Sequence, residues 1–380
     1  MTSPCNDAAR THARTPGTLH VFNASHDEAL ASGSPYYYPT RTARLFETDL
    51  AALPAWWAAP GDAVLVPPGT ALPADAPEGV RPVTAEALLA GGWDAVGNIA
   101  PWGWDALLVH RLRRAGAPEA LLPPPAALEA VRGLSSRSLA IALLPRLREA
   151  LGTGVGESVW CTADDEVHRA VARYGRAVLK APWSGSGRGV FTATPESPAT
   201  VWQRARRIVN GQGGIAVEPL YDRSADFALE FLSRGREGVS YEGLSVFRTT
   251  PAGGYAGNLV ADEAALQGAL PAELLPEIGH AAEVLAGLLG RVLQDYCGPL
   301  GVDLMAVRLP DGKLALHPCV EINLRQTMGR VALALRRLVP DGRAAVYALR
   351  RPAPAQDGEL CLTPGARAVE AVLSPLPEAS

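Results

Sequence analysis

Val178-Leu179-Lys180-Ala181-Pro182-Trp183-Ser184-Gly185-Ser186-Gly187-Arg188-Gly189-Val190 carries the densest chemical signal in the chain. A short apolar strand delivers a lysine, a loop of small residues follows, and an arginine leads back into apolar sequence. Gly185, Gly187 and Gly189 let successive backbone N–H groups turn toward one anion, because glycine accepts positive φ and brings no side chain. Ser184 and Ser186 add hydroxyl donors, while Lys180 and Arg188 add charge. The combination suits a loop closing over polyphosphate. A glycine-rich hairpin with solvated cations at its ends reads the same way in isolation, and such strings are common without a ligand. The stretch has no Gly-Lys-Ser/Thr ending of a P-loop, and no helix follows it as a dinucleotide fingerprint requires.

Downstream, Ile215-Ala216-Val217-Glu218-Pro219-Leu220-Tyr221 is an apolar strand that ends in an acid, a proline and two apolar residues. Residues 226–231, 243–248 and 255–260 alternate like sheet strands. Residues 276–294 form a helix of near-continuous apolar register. Residues 301–308, the turn Pro310-Asp311-Gly312 and residues 313–323 then read as a hairpin. Side chains on a strand repeat every second residue, so Glu321 and Asn323 share a face, and Asp303 on the partner strand can reach it. Two carboxylates and an amide on an apolar hairpin repel and lose hydration unless a cation sits between them. Mg²⁺ fits, being held by one or two carboxylates plus substrate phosphates. Solvated acids on an exposed face are the plainer alternative. It fits less well, because the neighbours in Val320-Glu321-Ile322-Asn323-Leu324 belong in a core. Pro318 demands an edge or a bulge in this strand. His317, of the same parity as Glu321 without a bulge, is taken as structural.

Upstream, residues 134–151 form a helix that Ser135 or Ser136 can cap, with Arg137 in its first turn. Residues 159–162 and 177–180 are strands around a helix at 164–174, and a helix at 198–209 follows the glycine loop. This is a small α+β lobe. Earlier still, residues 18–23, 62–67 and a segment opening at Trp93 read as strands. They alternate with helical pattern over 40–53, 84–89 and 104–115, which argues a parallel α/β layer. Asn23, His26 and Asp27 fall just past the first strand, where open α/β sheets place ligands. The plainer reading is a helix N-cap by Ser25 or Asp27 with a surface histidine.

The chain has 380 residues, 48% of them hydrophobic and 19% charged, which suits a globular protein of two or three domains. With 35 basic against 39 acidic residues the formal charge is -4, giving no argument for a nucleic acid or a membrane surface as partner. The five cysteines are scattered without metal or disulfide spacing, so a reducing, cytoplasmic compartment is the expectation. No apolar signal-peptide core precedes residue 17.

Taken together, the Lys-bearing strand, the Ser/Gly loop, the Glu-bearing strand and the run Asp303…Glu321-Ile322-Asn323-Leu324-Arg325 resemble the ATP-grasp superfamily over roughly residues 131–335. Phe22-Asn23-Ala24-Ser25-His26-Asp27-Glu28-Ala29-Leu30 also resembles the opening of certain bacterial ATP-grasp proteins. The resemblance implies an N-terminal parallel α/β domain (18–125), then a two-lobed grasp with small lobe 131–210 and large lobe 211–340, and a C-terminal extension at 341–380. It implies ATP between the lobes. Lys180 would contact the adenine side or the α-phosphate, and Ser184, Gly185, Ser186, Gly187, Arg188 and Gly189 would close over the β- and γ-phosphates. Glu218 and the backbone of Leu220 and Tyr221 would read adenine. Asp226, shorter than the usual Glu, would meet the ribose, and Arg137 stands where a lysine is usual. Asp303, Glu321 and Asn323 would hold Mg²⁺. Arg325 would clamp the γ-phosphate or an acyl phosphate, and Arg248 and Asn258 resemble residues that touch phosphate and substrate.

The reaction so implied is that of an ATP-dependent carboxylate–amine ligase, acting on a small-molecule or peptide carboxylate and an amine through an acyl phosphate. A kinase that phosphorylates a small molecule and stops, and a nucleotide sensor without turnover, are the alternatives. A sensor has no need of Asp303, Glu321 and Asn323 together. The oligomeric state is not legible.

Overall fold

The computed structural model describes residues 16–185, 189–249 and 255–376. Three sheets organise it. The first holds β1 (Gly17–Val21), β2 (Ala63–Leu65), β3 (Arg81–Val83) and β4 (Val96–Pro101) in the order β3-β2-β1-β4, every pair parallel. Trp93 opens no strand: it lies in a 3-10 turn, buried, its indole N–H donated to the carbonyl of Ala115 at 2.7 Å, and the chain becomes extended only at Val96. The short strand β3 goes unread in the sequence because it holds a proline and no apolar run; as an edge strand it tolerates both.

The second sheet is antiparallel, with β5 (Val159–Cys161), β6 (Ala177–Lys180), β7 (Val190–Ala193) and β8 (Ile215–Pro219) in the order β5-β8-β6-β7. Helices Asp164–Tyr174 and Ala199–Gln212 pack on it through Val167, Val171 and Val209 against Leu179, Ile215 and Val217. The Glu218-bearing strand therefore belongs to the smaller sheet, past residue 210, and pairs directly with the Lys180 strand.

The third sheet has eight strands: β9 (Arg223–Arg234), β10 (Val239–Thr249), β11 (Tyr255–Val260), β12 (Cys297–Arg308), β13 (Leu314–Asn323), β14 (Ala345–Arg350), β15 (Leu360–Cys361) and β16 (Glu370–Pro375). Their order is β13-β12-β9-β10-β11-β14-β16-β15. The segment expected as a C-terminal extension thus supplies three strands of this sheet. Helix Leu275–Val292, as apolar as its sequence, and helix Arg137–Leu151 fill one face with Leu143, Leu147, Leu285 and Leu289. Ser136, not Ser135, caps the latter helix, its hydroxyl accepting from the N–H of Ser138. The far strands anchor the first domain: the Trp56 indole donates to the Leu362 carbonyl at 2.9 Å, and Asp49 accepts the N–H groups of Ala368 and Val369 at 2.7 and 3.0 Å. Among the described residues no helix is long and apolar enough to cross a membrane.

Candidate active site

A cavity of about 1370 Å³ runs between the small sheet, the large sheet and the first domain. At one end Lys180 on β6 meets Glu218 on β8, Nζ to Oε2 2.5 Å, each side chain 9% exposed. Adjacent strands in register put them together, and the pair offsets the cost of burying either charge alone. Leu220 and Tyr221 follow on the cavity wall. The N–H of Leu220 is donated to the carbonyl of Arg176 at 2.9 Å, so it is committed within the protein and does not face a ligand. Tyr221 sets its ring edge-on to His317, centroids 5.5 Å apart. Asp226 on β9 lines the cavity, paired with Arg223 at 2.8 Å and accepting from the Thr249 hydroxyl at 3.2 Å; burial still raises its pKa.

At the other end, β12 and β13 pair Asp303 with Glu321, then skip to Met305 with His317. This bulge spans Pro318 on an edge strand, as a proline there requires. His317 stands opposite Met305, the next pair along from Asp303–Glu321, yet it is 1% exposed, off the cavity lining, and both ring nitrogens lack a partner. Burial pushes its imidazole down to about 4. The Asn323 amide donates to Asp303 at 3.4 Å. Burial, then the charges of Glu321 and Glu230, push the Asp303 carboxyl well above the usual carboxylate range. The burial and like charge that disfavour a second carboxylate here are what a divalent ion between the acids would relieve. Among the described residues no three His, Cys, Asp or Glu side chains form a metal cage. Two carboxylates and an amide are the donor set Mg²⁺ takes when phosphates supply the rest.

Arg137, the first residue of its helix, joins this end to the loop. Its guanidinium reaches Glu321 at 2.9 Å, the Ala181 carbonyl at 2.9 Å and the Ser184 hydroxyl at 3.2 Å. The Ala181 N–H donates to Gly189, closing the loop at its base. Gly185 does not sit at positive φ. Both glycines are required for space: a Cβ on Gly185 would fall 2.3 Å from Asp27 Oδ2, and one on Gly189 2.5 Å from Ser184 Cβ. Ser186, Gly187 and Arg188 lie outside the described residues.

Asp27 and Arg325 form a two-pronged ion pair at 3.0 and 3.2 Å, and Arg325 also donates to Asn323 Oδ1 at 2.9 Å. Burial opposes ionisation of Asp27, but Arg325, His26 and Arg137 outweigh it and hold the carboxyl below its usual range. Asn23 and His26 are not ligand groups, and His26 is not on the surface. Asn23 donates to the Gly103 carbonyl at 2.8 Å and to Asp105 at 2.9 Å, while the buried His26 ring lies 3.2 Å from Asp105. They lock the loop that carries Asp27. Ser25 makes no side-chain cap.

Arg248 is not brought to the site. It is exposed on β10, whose cavity-lining side chains are Ser245, Phe247 and Thr249. Asn258 does line the cavity, 1% exposed, held between the Tyr255 hydroxyl and Ser245 Oγ at 2.7 Å each. Sequence reasoning missed Glu230. It lies on β9 in step with Asp226, four residues on, which was the available signal. It is 1% exposed and accepts from Thr327 at 2.8 Å; burial pushes it up to about 7. Gly301 and Gly329 make its space, since a Cβ on either would meet its carboxylate oxygens at 2.8 and 2.0 Å.

No family profile matches the chain, and no curated protein matches it by sequence. Solved structures do match across nearly the whole chain. The biotin carboxylase of Campylobacter jejuni, in a βγ-ATP complex, superposes with a TM-score of 0.53 over 95% of this chain and 87% of that one, at 11% identity. The biotin carboxylase domain of the Hydrogenobacter thermophilus 2-oxoglutarate carboxylase, bound to MgADP and bicarbonate, gives 0.52 over 96% and 87%, at 11% identity. The chain has the ATP-grasp fold. The N5-carboxyaminoimidazole ribonucleotide synthetase of Thermus thermophilus shares this ATP-grasp architecture at 17% identity, with a TM-score of 0.50 over 94% and 93%.

Proposed function

We propose that the chain is an ATP-dependent ligase that joins a small-molecule or peptide carboxylate to an amine through an acyl phosphate, releasing ADP and phosphate. The observation that carries this reading is one cavity with the Lys180–Glu218 pair at one end and Asp303, Glu321, Asn323 and Arg325 at the other. Its 1370 Å³ exceeds the roughly 300–1,000 Å³ of a single small-molecule site, leaving room for a nucleotide and a second substrate. The nucleotide complexes among the similar folds support the same assignment.

Adenine is read at Glu218 and Tyr221, ribose at Asp226, and the phosphates meet Lys180, Arg137 and the loop from Ser184. Asp303, Glu321 and Asn323 would hold Mg²⁺, which when bound neutralises charge on the transferring phosphoryl group. Arg325, kept rigid by Asp27 and Asn323 and donating also to the Gln326 carbonyl, would present its remaining N–H to the anion formed on transfer. Gly185 lies against Asp27, and a site covered there would keep water from the acyl phosphate until the amine arrives.

The test is a screen of carboxylate and amine pools with MgATP, following ADP and identifying products by mass. The expected product weighs the sum of one carboxylate and one amine less one water. A phosphorylated product formed without any amine would replace the ligase reading with a kinase.

A further inference from the structure

We propose that the cavity ends in an apolar compartment which selects a carboxylate substrate carrying an apolar group of aromatic size. The inference rests on the ligase reading above and names its substrate class.

The compartment lies where the first domain meets the far strands of the large sheet. A core cluster joins them, built on Phe22 and Trp102, 5% and 7% exposed, in edge-to-face contact at 4.9 Å. Both rings line the cavity. So do six members of that cluster that are only partly buried: Ala24, Phe46, Tyr255, Met328, Leu349 and Val369. The uncovered part of an otherwise closed core thus opens into the same space as the acidic site. Four of these eight walls are aromatic, which favours a flat or bulky apolar occupant.

The polar side chains between compartment and acids are already engaged. Asn258 is spent on Tyr255 and Ser245, and Thr327 on Glu230. Arg350, next to Leu349, is likewise spent on Glu359 and Glu370, and Arg351 lies exposed beyond it. Against the engaged walls a polar occupant forfeits hydrogen bonds to water without replacing them, whereas an apolar one loses none. Met328 and Arg325, three residues apart, line the one cavity, and the proposal places the apolar group against Met328 with its carboxylate toward Arg325, Asn323 and Glu321. That end is where the phosphoryl group is delivered.

The experiment uses the full chain saturated with MgADP, titrated calorimetrically with 3-phenylpropanoate, propanoate and butanedioate. Burying one aromatic ring predicts at least about tenfold tighter binding of 3-phenylpropanoate than of propanoate, with butanedioate no better than propanoate. Leu349→Trp fills the compartment and should abolish that advantage while MgADP affinity is unchanged. Phe46→Ala, on a half-buried helix that also lines the cavity, should reduce it severalfold. Equal affinities, a preference for butanedioate, or an advantage that survives Leu349→Trp would overturn the compartment while leaving the nucleotide site standing. Failure of MgADP itself to bind would instead overturn the ligase reading, and this inference with it.

Discussion

Two ion pairs stand at the two ends of the cavity, and they are built differently. Lys180–Glu218 joins neighbouring strands of one small sheet; once β6 and β8 pair, the contact follows from register. Asp27–Arg325 joins residues 298 apart, and forms only when the first domain and the large sheet have docked. The Lys180–Glu218 pair is therefore a local product of one lobe, although Asp226 at the same end comes from the large sheet. The Asp27–Arg325 pair is a product of assembly: Asn323 holds the arginine locally, and Asp27 adds the second clamp across domains.

The largest expected effect probes the acids beside the assembled end. Glu321→Gln keeps shape and removes one charge. Turnover should fall at least about 100-fold, the scale of one lost preorganised contact in the transition state. Folding should be nearly unchanged, because Arg137 keeps its bonds to Ala181 and Ser184 and repulsion with Asp303 is relieved. Chemical denaturation beside ADP release measures both, and wild-type turnover would make the hairpin merely structural.

Asp27→Ala should break the assembled end itself. It strands a guanidinium whose side chain is 16% exposed, and should cost about 2 kcal/mol, below the ~3–5 kcal/mol of a fully buried pair. Urea unfolding reads the loss, and Asp27→Asn, which retains an acceptor, should recover part of it. An unchanged midpoint for Asp27→Ala would show that the first domain docks without this pair.

A similar magnitude, of opposite locality, is expected beside the nucleotide end. Folding holds His317 neutral, with its imidazole at about 4 against a usual value near 6.5. The stability this group contributes is complete above about pH 6.5 and is lost as pH falls toward 4. At pH 5 the loss is about 2 kcal/mol. His317→Leu should flatten stability against pH across that window while leaving neutral-pH nucleotide binding intact. A wild-type profile with no such slope would count against the burial of this ring.

The same division governs what was legible in the sequence. Strand period and small loop residues announced Lys180, Glu218, Asp303, Glu321 and Asn323, because each sits on an apolar strand whose alternation fixes its face. Glu230 had the same signal and was passed over. Asp27 as the partner of Arg325 was invisible, since nothing local connects two residues 298 apart. Arg248 misled because a strand arginine near the right place says nothing about which face it takes. Gly185 was read for backbone freedom when its need is room for Asp27, a demand made by tertiary packing alone.

The most direct measurement is calorimetric titration of ADP, with and without Mg²⁺, into wild type, Lys180→Ala and Asp303→Asn. One cavity with a nucleotide end and a metal end predicts tighter binding with Mg²⁺ in the wild type. Lys180→Ala should weaken binding about tenfold in both conditions, and Asp303→Asn should remove the Mg²⁺ dependence while sparing the metal-free affinity. Wild-type binding that is indifferent to Mg²⁺, or that neither substitution alters, would contradict the account.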